Sequence, residues 1–276
     1  MDFDFLRHVA APFRMQPGLS RLEADAHQLT RLVPGSPLWN EKRAVLQAGV
    51  SRQCAPGFDA APALAAIAAR AHLEGVAQSL DDNTPLELAF EEDFAVLDGD
   101  TTQLSWLCVC VPSHWAPEDK VGLPFAAVHA PVADGALLVA ASAQLARLVT
   151  GGQRWERYVW TISPSGRHDQ HPRRHPREPW PPAADPQAFA QGCWLRAERQ
   201  TFFPVGQGTR QAVFTIRVML QPLTEAVDSP DKARRLHDSL ASMTEGVLAY
   251  KGLTQARDPL LRWLAQRASV PHEAGG

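Results

Sequence analysis

The sequence lacks long hydrophobic runs, a basic leader and a strong excess of either charge. No apolar stretch approaches the length of a membrane-spanning helix, and the first eight residues lack the basic start and apolar core of a signal peptide. The formal net charge of −3 offers no general attraction to nucleic acid or to anionic membranes, which would require a clustered basic face. We therefore expect a soluble, cytoplasmic protein that binds neither nucleic acid nor a membrane.

Cysteine is scarce, with four residues in 276. Cys108 and Cys110 stand two apart in an apolar run, a spacing unlike that of zinc sites, and four cysteines are too few for a secreted disulfide scaffold. The sequence also contains no P-loop, no GxSxG, no HExxH and no GxGxxG after a strand. We expect reduced cysteines in the core, and the motifs of most common enzyme classes are absent.

Hydrophobic residues make up 45% of the chain, which is ample for a large buried core. Helical spacing and caps predict helices that begin at Ser36-Pro37, near residue 60, near Gly135 and at Ser229-Pro230, the second of them reaching about residue 80 and the last about Val247. Strand patterns predominate in between, at residues 86–90, 104–111, 154–162, 194–203 and 211–220. The pattern predicts an α+β fold in which an antiparallel sheet is covered by helices.

We expect a single domain over residues 1–276. Its predicted parts are a helical and loop region over about residues 1–84, a sheet core over about 85–222 and a helical cover over about 223–276. The cover is expected because Leu236 and Leu240 stand at helical spacing after the Ser229-Pro230 start.

The two strands at 194–203 and 211–220 form a predicted hairpin whose first strand carries a polar row. A period of two places Trp194, Arg196, Glu198, Gln200 and Phe202 on one face and turns Arg199 to the other. The charged residues of this row could form cross-strand ion pairs on a wet face, or they could line a functional site. The pattern alone leaves both alternatives open.

His129 stands alone in the apolar segment from Val121 to Val132. Because Pro131 disfavours the α region for the residue before it, we expect His129 on an extended segment or turn between a strand and a helix. A buried imidazole must satisfy both ring nitrogens, and a metal or heme iron can replace one partner. The segment by itself favours a hydrogen-bonded core histidine over a ligand.

Residues 164–186 are rich in proline, arginine and histidine and poor in aliphatic side chains. We predict a long, solvated surface loop. Its histidines, at 168, 171 and 175, lack the rigid frame that metal ligands need. Long loops are often lids or docking segments, so a functional role remains open.

Five short motifs carry a resemblance that covers most of the chain. In sequence order they are Trp115 to Lys120, Val128-His-Ala-Pro-Val132, Leu195-Arg-Ala-Glu-Arg-Gln-Thr201, Phe214-Thr-Ile-Arg217 and Tyr250-Lys-Gly252. Together they resemble the heme-dependent oxidative N-demethylase family. The resemblance implies a PAS-like antiparallel sheet that binds heme b, with His129 as the axial ligand of the iron. It also implies oxidative removal of a methyl group from a small amine as formaldehyde, with O2 and with electrons from a separate flavin or iron–sulfur reductase.

Within that resemblance the polar row acquires candidate roles. Glu198 is the candidate catalytic residue, since a carboxylate can bind a protonated amine and relay protons. Arg196 or Arg199 would neutralise a heme propionate or a substrate acid, and Trp194 would help to bind the cofactor. The alternatives are a heme-binding sensor or carrier of PAS-like fold without turnover, and a cofactor-free interaction module; an oligomer is left open.

The axial role of His129 is testable by spectroscopy. We expect purified protein supplied with heme to show a sharp Soret band whose ligand-field features change in His129→Ala, because the substitution removes the axial nitrogen. Absorption spectra of the two proteins provide the measurement. Identical spectra would remove His129 from the role of ligand, and no heme uptake by the wild type would end the enzyme hypothesis.

Overall fold

Seven antiparallel strands form one open sheet in this computed structural model. The structure describes residues 2–77, 83–130 and 140–269, except for the side chain of His129. The strands run in the spatial order β1-β5-β6-β7-β3-β4-β2. Their bounds are β1 Ser20–Arg21, β2 Arg52–Cys54, β3 Glu92–Asp98, β4 Leu104–Cys108, β5 Trp155–Ser163, β6 Trp194–Pro204 and β7 Gln211–Pro222. The expectation of an α+β fold with a PAS-like antiparallel sheet covered by helices is confirmed.

The described residues form eleven α-helices, none of which is long and apolar enough to cross a membrane. They are α1 Phe5–His8, α2 Pro37–Gln47, α3 Ala61–Leu73, α4 Leu86–Ala89, α5 Phe125–His129, α6 Ser142–Val149, α7 Pro186–Gln191, α8 Leu223–Ala226, α9 Pro230–Ala241, α10 Glu245–Lys251 and α11 Arg257–Ala268. Ser36 caps α2 as predicted, since its side chain accepts a hydrogen bond from the amide of Trp39.

Helices cover both faces of the sheet. On one face, Leu195 and Met219 pack with the N-terminal segment and with α9, α10 and α11, while α3 packs near Phe203. On the other face, α5 and α6 pack over Phe202 and Phe214. β1 and β2, both from the first 84 residues, form the two edges of the sheet. The assignment of the chain to a single domain stays a prediction.

A buried ion pair joins α2 to the middle of the sheet. Lys42 is fully buried, and its Nζ lies 3.0 Å from Oδ1 of Asp93 on β3 while also donating to the carbonyl oxygens of Phe90 and Glu92. Burial disfavours the charged form of Lys42, but Asp93 and the other groups around the ammonium together outweigh that cost, so the pKa of Lys42 is raised. The other oxygen of Asp93 accepts hydrogen bonds from two amides just beyond β4, which fixes the path of the chain there.

Near β3, one predicted strand is wrong and one observed strand was not predicted. Residues 86–90 were predicted as a strand, but Leu86–Ala89 form a helical turn because Glu87 points inward to Ser51 and Arg52 and breaks the apparent alternation. The strand Glu92–Asp98 was not predicted, since it begins with two acidic residues that are both buried. Buried acids are rare enough that sequence patterns place them outside.

Other differences concern where helices end. The helix predicted to reach residue 80 ends at Leu73, followed by Gly75 at φ +72°. The single helix predicted from Ser229 to Val247 is two helices, because Thr244 caps α10 with its side chain. The helix predicted from Gly135 is present as Ser142–Val149 in the described part of the chain, and its predicted start lies outside the described residues.

The segment 164–186 is irregular, and the prediction that it is solvated holds for part of it. Residues 172–173, 176–179 and 182–185 are exposed, whereas Asp169 and His171 are buried. The carboxylate of Asp169 binds Arg174 with an Nε–Oδ2 distance of 2.8 Å, and His171 Nε2 lies 3.1 Å from a carboxylate oxygen of Glu118, which comes from the connection after β4. Acids from inside the segment and from elsewhere in the chain therefore pair with its buried part.

The Lys42–Asp93 pair supplies a stability test. Lys42→Met leaves the Asp93 carboxylate buried without its cation, and we expect it to lower the free energy of unfolding by about 3–5 kcal/mol. The control Lys232→Met removes an exposed pair with Asp228 and should cost less than about 1 kcal/mol. Denaturant titrations of the three proteins provide the measurement, and equal losses in the two variants would contradict the central role of the buried pair.

Candidate functional site

The polar row of β6 lies on the sheet face that α5 and α6 cover. Glu198 pairs with Val159 of β5 and with Val218 of β7, while Gln200 pairs with Arg157. Directly paired residues of antiparallel strands share a face, so Arg157 and Glu198 are diagonal neighbours on it. Alternation along β6 therefore predicted this face correctly.

Both carboxylate oxygens of Glu198 are held by neighbouring side chains. Ser113 Oγ donates to Oε1, and Gln200 Nε2 donates to Oε2 at 2.7 Å. Ser113 Oγ in turn accepts a hydrogen bond of 2.7 Å from Arg196 Nε. Arg196 thus reaches Glu198 through a shared hydroxyl group, and the carboxylate is half-buried in a fixed orientation.

Arg196 is held by the protein on all sides. It is 1% exposed, and its two terminal nitrogens each donate over 3.2 Å, to the carbonyl oxygens of Arg167 and Val111. Burial lowers the pKa of its guanidinium. Arg196, on β6, therefore links two other parts of the chain: the residues just after β4, at Val111, and the loop after β5, at Arg167.

Two further cations lie near Glu198. Arg157 is partly buried on the neighbouring strand, and its Nε is buried without a hydrogen-bond partner in the part of the chain that the structure describes. Lys251, the last residue of α10, donates from Nζ to the carbonyl oxygen of Trp160 at 2.6 Å. Burial lowers the pKa of Lys251 from 10.5 to about 8; the negative charge of Glu198 opposes this shift, and the positive charge of Arg157 adds to it.

Local sequence explains the position of Lys251. Gly252 ends α10 at φ +70°, a left-handed conformation that glycine adopts without cost. A terminal nitrogen of the exposed Arg177 side chain also lies close, 2.5 Å from where a Cβ would be. The Tyr250-Lys-Gly252 motif therefore fixes the end of α10 against the loop after β5.

The family described as Haem-dependent oxidative N-demethylase, alpha subunit-like, matches residues 69–261. The chain belongs to this family. The matched region contains Ser113, Arg157, Glu198 and Lys251, that is, the whole cluster described above. The resemblance stated from the sequence motifs is confirmed.

A protein that depends on heme needs an apolar, aromatic surface for the ring and a cation near each heme propionate. The described residues fit this chemistry. Trp115, Trp155 and Phe214 pack into the apolar cluster on the face of Glu198, and the unpartnered Nε of Arg157 offers a donor to an anionic group. A buried donor without a partner is costly, so a bound acceptor would stabilise the protein.

His129 ends α5, whose Phe125 and Val128 pack into that same cluster. The prediction of an extended segment is wrong for the backbone, since the helix begins after Pro124 and ends two residues before Pro131. Ala130, the residue before Pro131, itself has α-helical backbone angles, φ −54° and ψ −36°, so the proline does not prevent helical geometry here. The side chain of His129 lies outside the described residues, so its role as ligand stays a prediction.

Arg199 and Trp194 lie apart from Glu198. Arg199 is on the opposite face, with its Nε and a terminal nitrogen 3.2 and 3.1 Å from Oε2 of Glu156, so it shares no site with Arg196. Trp194 shares the face of Glu198 at the far end of β6, where its ring packs on Gly166 in the loop after β5. A Cβ at Gly166 would lie 2.7 Å from that ring.

Sequence reasoning missed Ser113, Arg157 and Lys251 as site residues. Alternation did place Arg157 on one face with Val159, and pairing that strand with β6 would have set it beside Glu198. Lys251 lay in a family motif without an assigned role. No signal identified Ser113, because its contact spans 85 positions of sequence.

The buried amine of Lys251 predicts a pH-dependent stability. Its pKa is lower in the folded than in the unfolded chain, so the unfolded state binds more protons between pH 8 and 10.5. We expect the unfolding free energy of the wild type, minus that of Lys251→Met, to rise across this window by on the order of 1–3 kcal/mol. Denaturant titrations at several pH values check this, and a difference independent of pH would contradict it.

Proposed function

We propose that this chain is a heme-binding enzyme subunit that oxidatively removes a methyl group from a small amine and releases formaldehyde. The observation that carries the proposal is the fixed, half-buried carboxylate of Glu198 on the face covered by α5, the helix that ends at His129. Family membership supplies the reaction class.

Heme b would be held by His129 at the iron and by the aromatic surface at Trp115 and Trp155, with Trp194 near the loop after β5. When bound, heme supplies the one-electron and O2 chemistry that side chains cannot perform. The protein has to bind the amine, orient its methyl group and exclude water.

Glu198 would bind the ammonium form of the amine and accept its proton. Ser113 and Gln200 fix the two carboxylate oxygens, so the carboxylate needs no reorganisation when the amine arrives. Arg196 acts as a positioning residue in this proposal, because it reaches the carboxylate only through Ser113 Oγ. This replaces the expectation that Arg196 binds a propionate directly.

Electrons would come from a separate flavin or iron–sulfur reductase. The sequence has no phosphate-binding loop for a nucleotide and no cysteine set typical of an iron–sulfur cluster. These features support a division of labour in which this chain holds the heme and its partner supplies reducing equivalents.

The role of Glu198 is tested by Glu198→Gln, which keeps size and hydrogen bonding but removes the charge. We expect heme content to be unchanged, while amine-induced spectral shifts weaken and formaldehyde yield falls about 10²–10⁴-fold, the usual scale for a general acid–base group. Glu156→Gln is the control, since Glu156 is paired on the opposite face. Full formaldehyde yield with normal amine binding in Glu198→Gln would return this carboxylate to a structural role.

The wild type distinguishes the remaining alternatives in the same assay. Heme uptake without formaldehyde, in the presence of a chemical reductant and O2, would identify a sensor or carrier. No heme uptake would leave a cofactor-free interaction module.

A further inference from the structure

Arg157 is the one site residue whose charge the described protein leaves without a bonded partner. Its Nε is buried and unpaired; burial lowers the pKa of the guanidinium, and the negative charge of Glu198 opposes this shift. No hydrogen bond joins the two side chains, and the oxygens of Glu198 accept from Ser113 and Gln200. A buried guanidinium in this state favours a carboxylate or a similar planar anion.

The charge balance around Glu198 points the same way. One carboxylate, that of Glu198, shares its face with the cations Arg157 and Arg196, of which Arg196 is bonded to Ser113 and to two carbonyl oxygens. A plain ammonium ion would meet Glu198 but would be repelled by Arg157. A ligand that carries a negative charge as well would complement both halves of the cluster.

We propose that Arg157 binds a carboxylate group of a bound ligand, and we call this position the carboxylate seat. This rests on the proposed function in so far as the ligand is an amine. The carboxylate can come from two sources, an amine substrate that is an N-methyl amino acid or a propionate arm of heme. In the first case Glu198 binds the ammonium group while Arg157 binds the carboxylate of the same zwitterion.

The spacing suits a small zwitterion. Glu198 pairs with Val159, two residues along β5 from Arg157, so the two side chains start from diagonal positions about 7–8 Å apart. Both side chains are long and lie on one face, so a molecule with few bonds between its charges can contact both.

Matched probes separate the two sources. Titration calorimetry on the protein, with and without hemin, compares N-methylglycine with N-methylethylamine, which has a similar size but no carboxylate. If the substrate carries the carboxylate, N-methylglycine should bind at least tenfold more tightly to the wild type, and Arg157→Gln should abolish the preference. If a propionate occupies the seat, the wild type should prefer hemin to its dimethyl ester at least tenfold, and Arg157→Gln should bind both equally.

Arg217→Gln serves as the control, because Arg217 lies on the opposite face and pairs with Glu91 and Asp2. It should leave both preferences intact. Arg157→Lys keeps the positive charge and should retain most of either preference. If Arg157→Gln does not fold, as judged by circular dichroism, the wild-type preferences and Arg157→Lys still decide the question.

The proposal is overturned if the wild type shows neither preference, or if Arg157→Gln folds and retains both. These measurements distinguish failure of the carboxylate seat from failure of the proposed demethylase function. Formaldehyde production with no effect of Arg157 would refute the carboxylate seat alone. An Arg157-dependent preference for N-methylglycine without heme uptake would refute the demethylase and leave the seat standing.

Discussion

The buried pair of Lys42 and Asp93 is the interaction on which the site depends. Asp93 binds the amides of Cys110 and Val111 at 3.0 and 2.8 Å, and so determines where the chain leaves β4. The carbonyl oxygen of Val111 then accepts from Arg196, and Ser113 follows two residues later. A charge pair between α2 and β3 thereby controls the position of a hydroxyl group that holds Glu198.

The loop after β5 closes the same region from the other side. Arg174 donates to the carbonyl oxygen of Cys110 and pairs with Asp169, while the carbonyl oxygen of Arg167 accepts from Arg196. The backbone just before Ser113 is therefore bonded to charged side chains at both Cys110 and Val111. The long loop is a fixed wall of the site over these residues, with an arrangement set by ion pairs and carbonyl acceptors in place of an apolar core.

Sequence patterns predicted those parts of the structure that depend on neighbours in the chain. Alternation separated Arg196 and Glu198 from Arg199, since the side-chain period of a strand is local. It failed where distant partners decide, as at β3, where Asp93 meets Lys42 and the amides of residues 110 and 111, and Glu92 meets the amide of Thr30. The contact between Ser113 and Glu198 depends on the same long-range arrangement and has no local signature.

The hydroxyl group of Ser113 also gives the hydrogen-bonded chain a direction. Because Oγ accepts from Arg196, its own proton points to Glu198, and the order of donors and acceptors is fixed from Arg196 to the carboxylate. A guanidinium in a protein does not give up its proton, so this path carries no proton in either direction. Glu198 therefore lies at the closed end of the hydrogen-bonded chain, and any proton that it takes up must leave on its other side, away from Ser113.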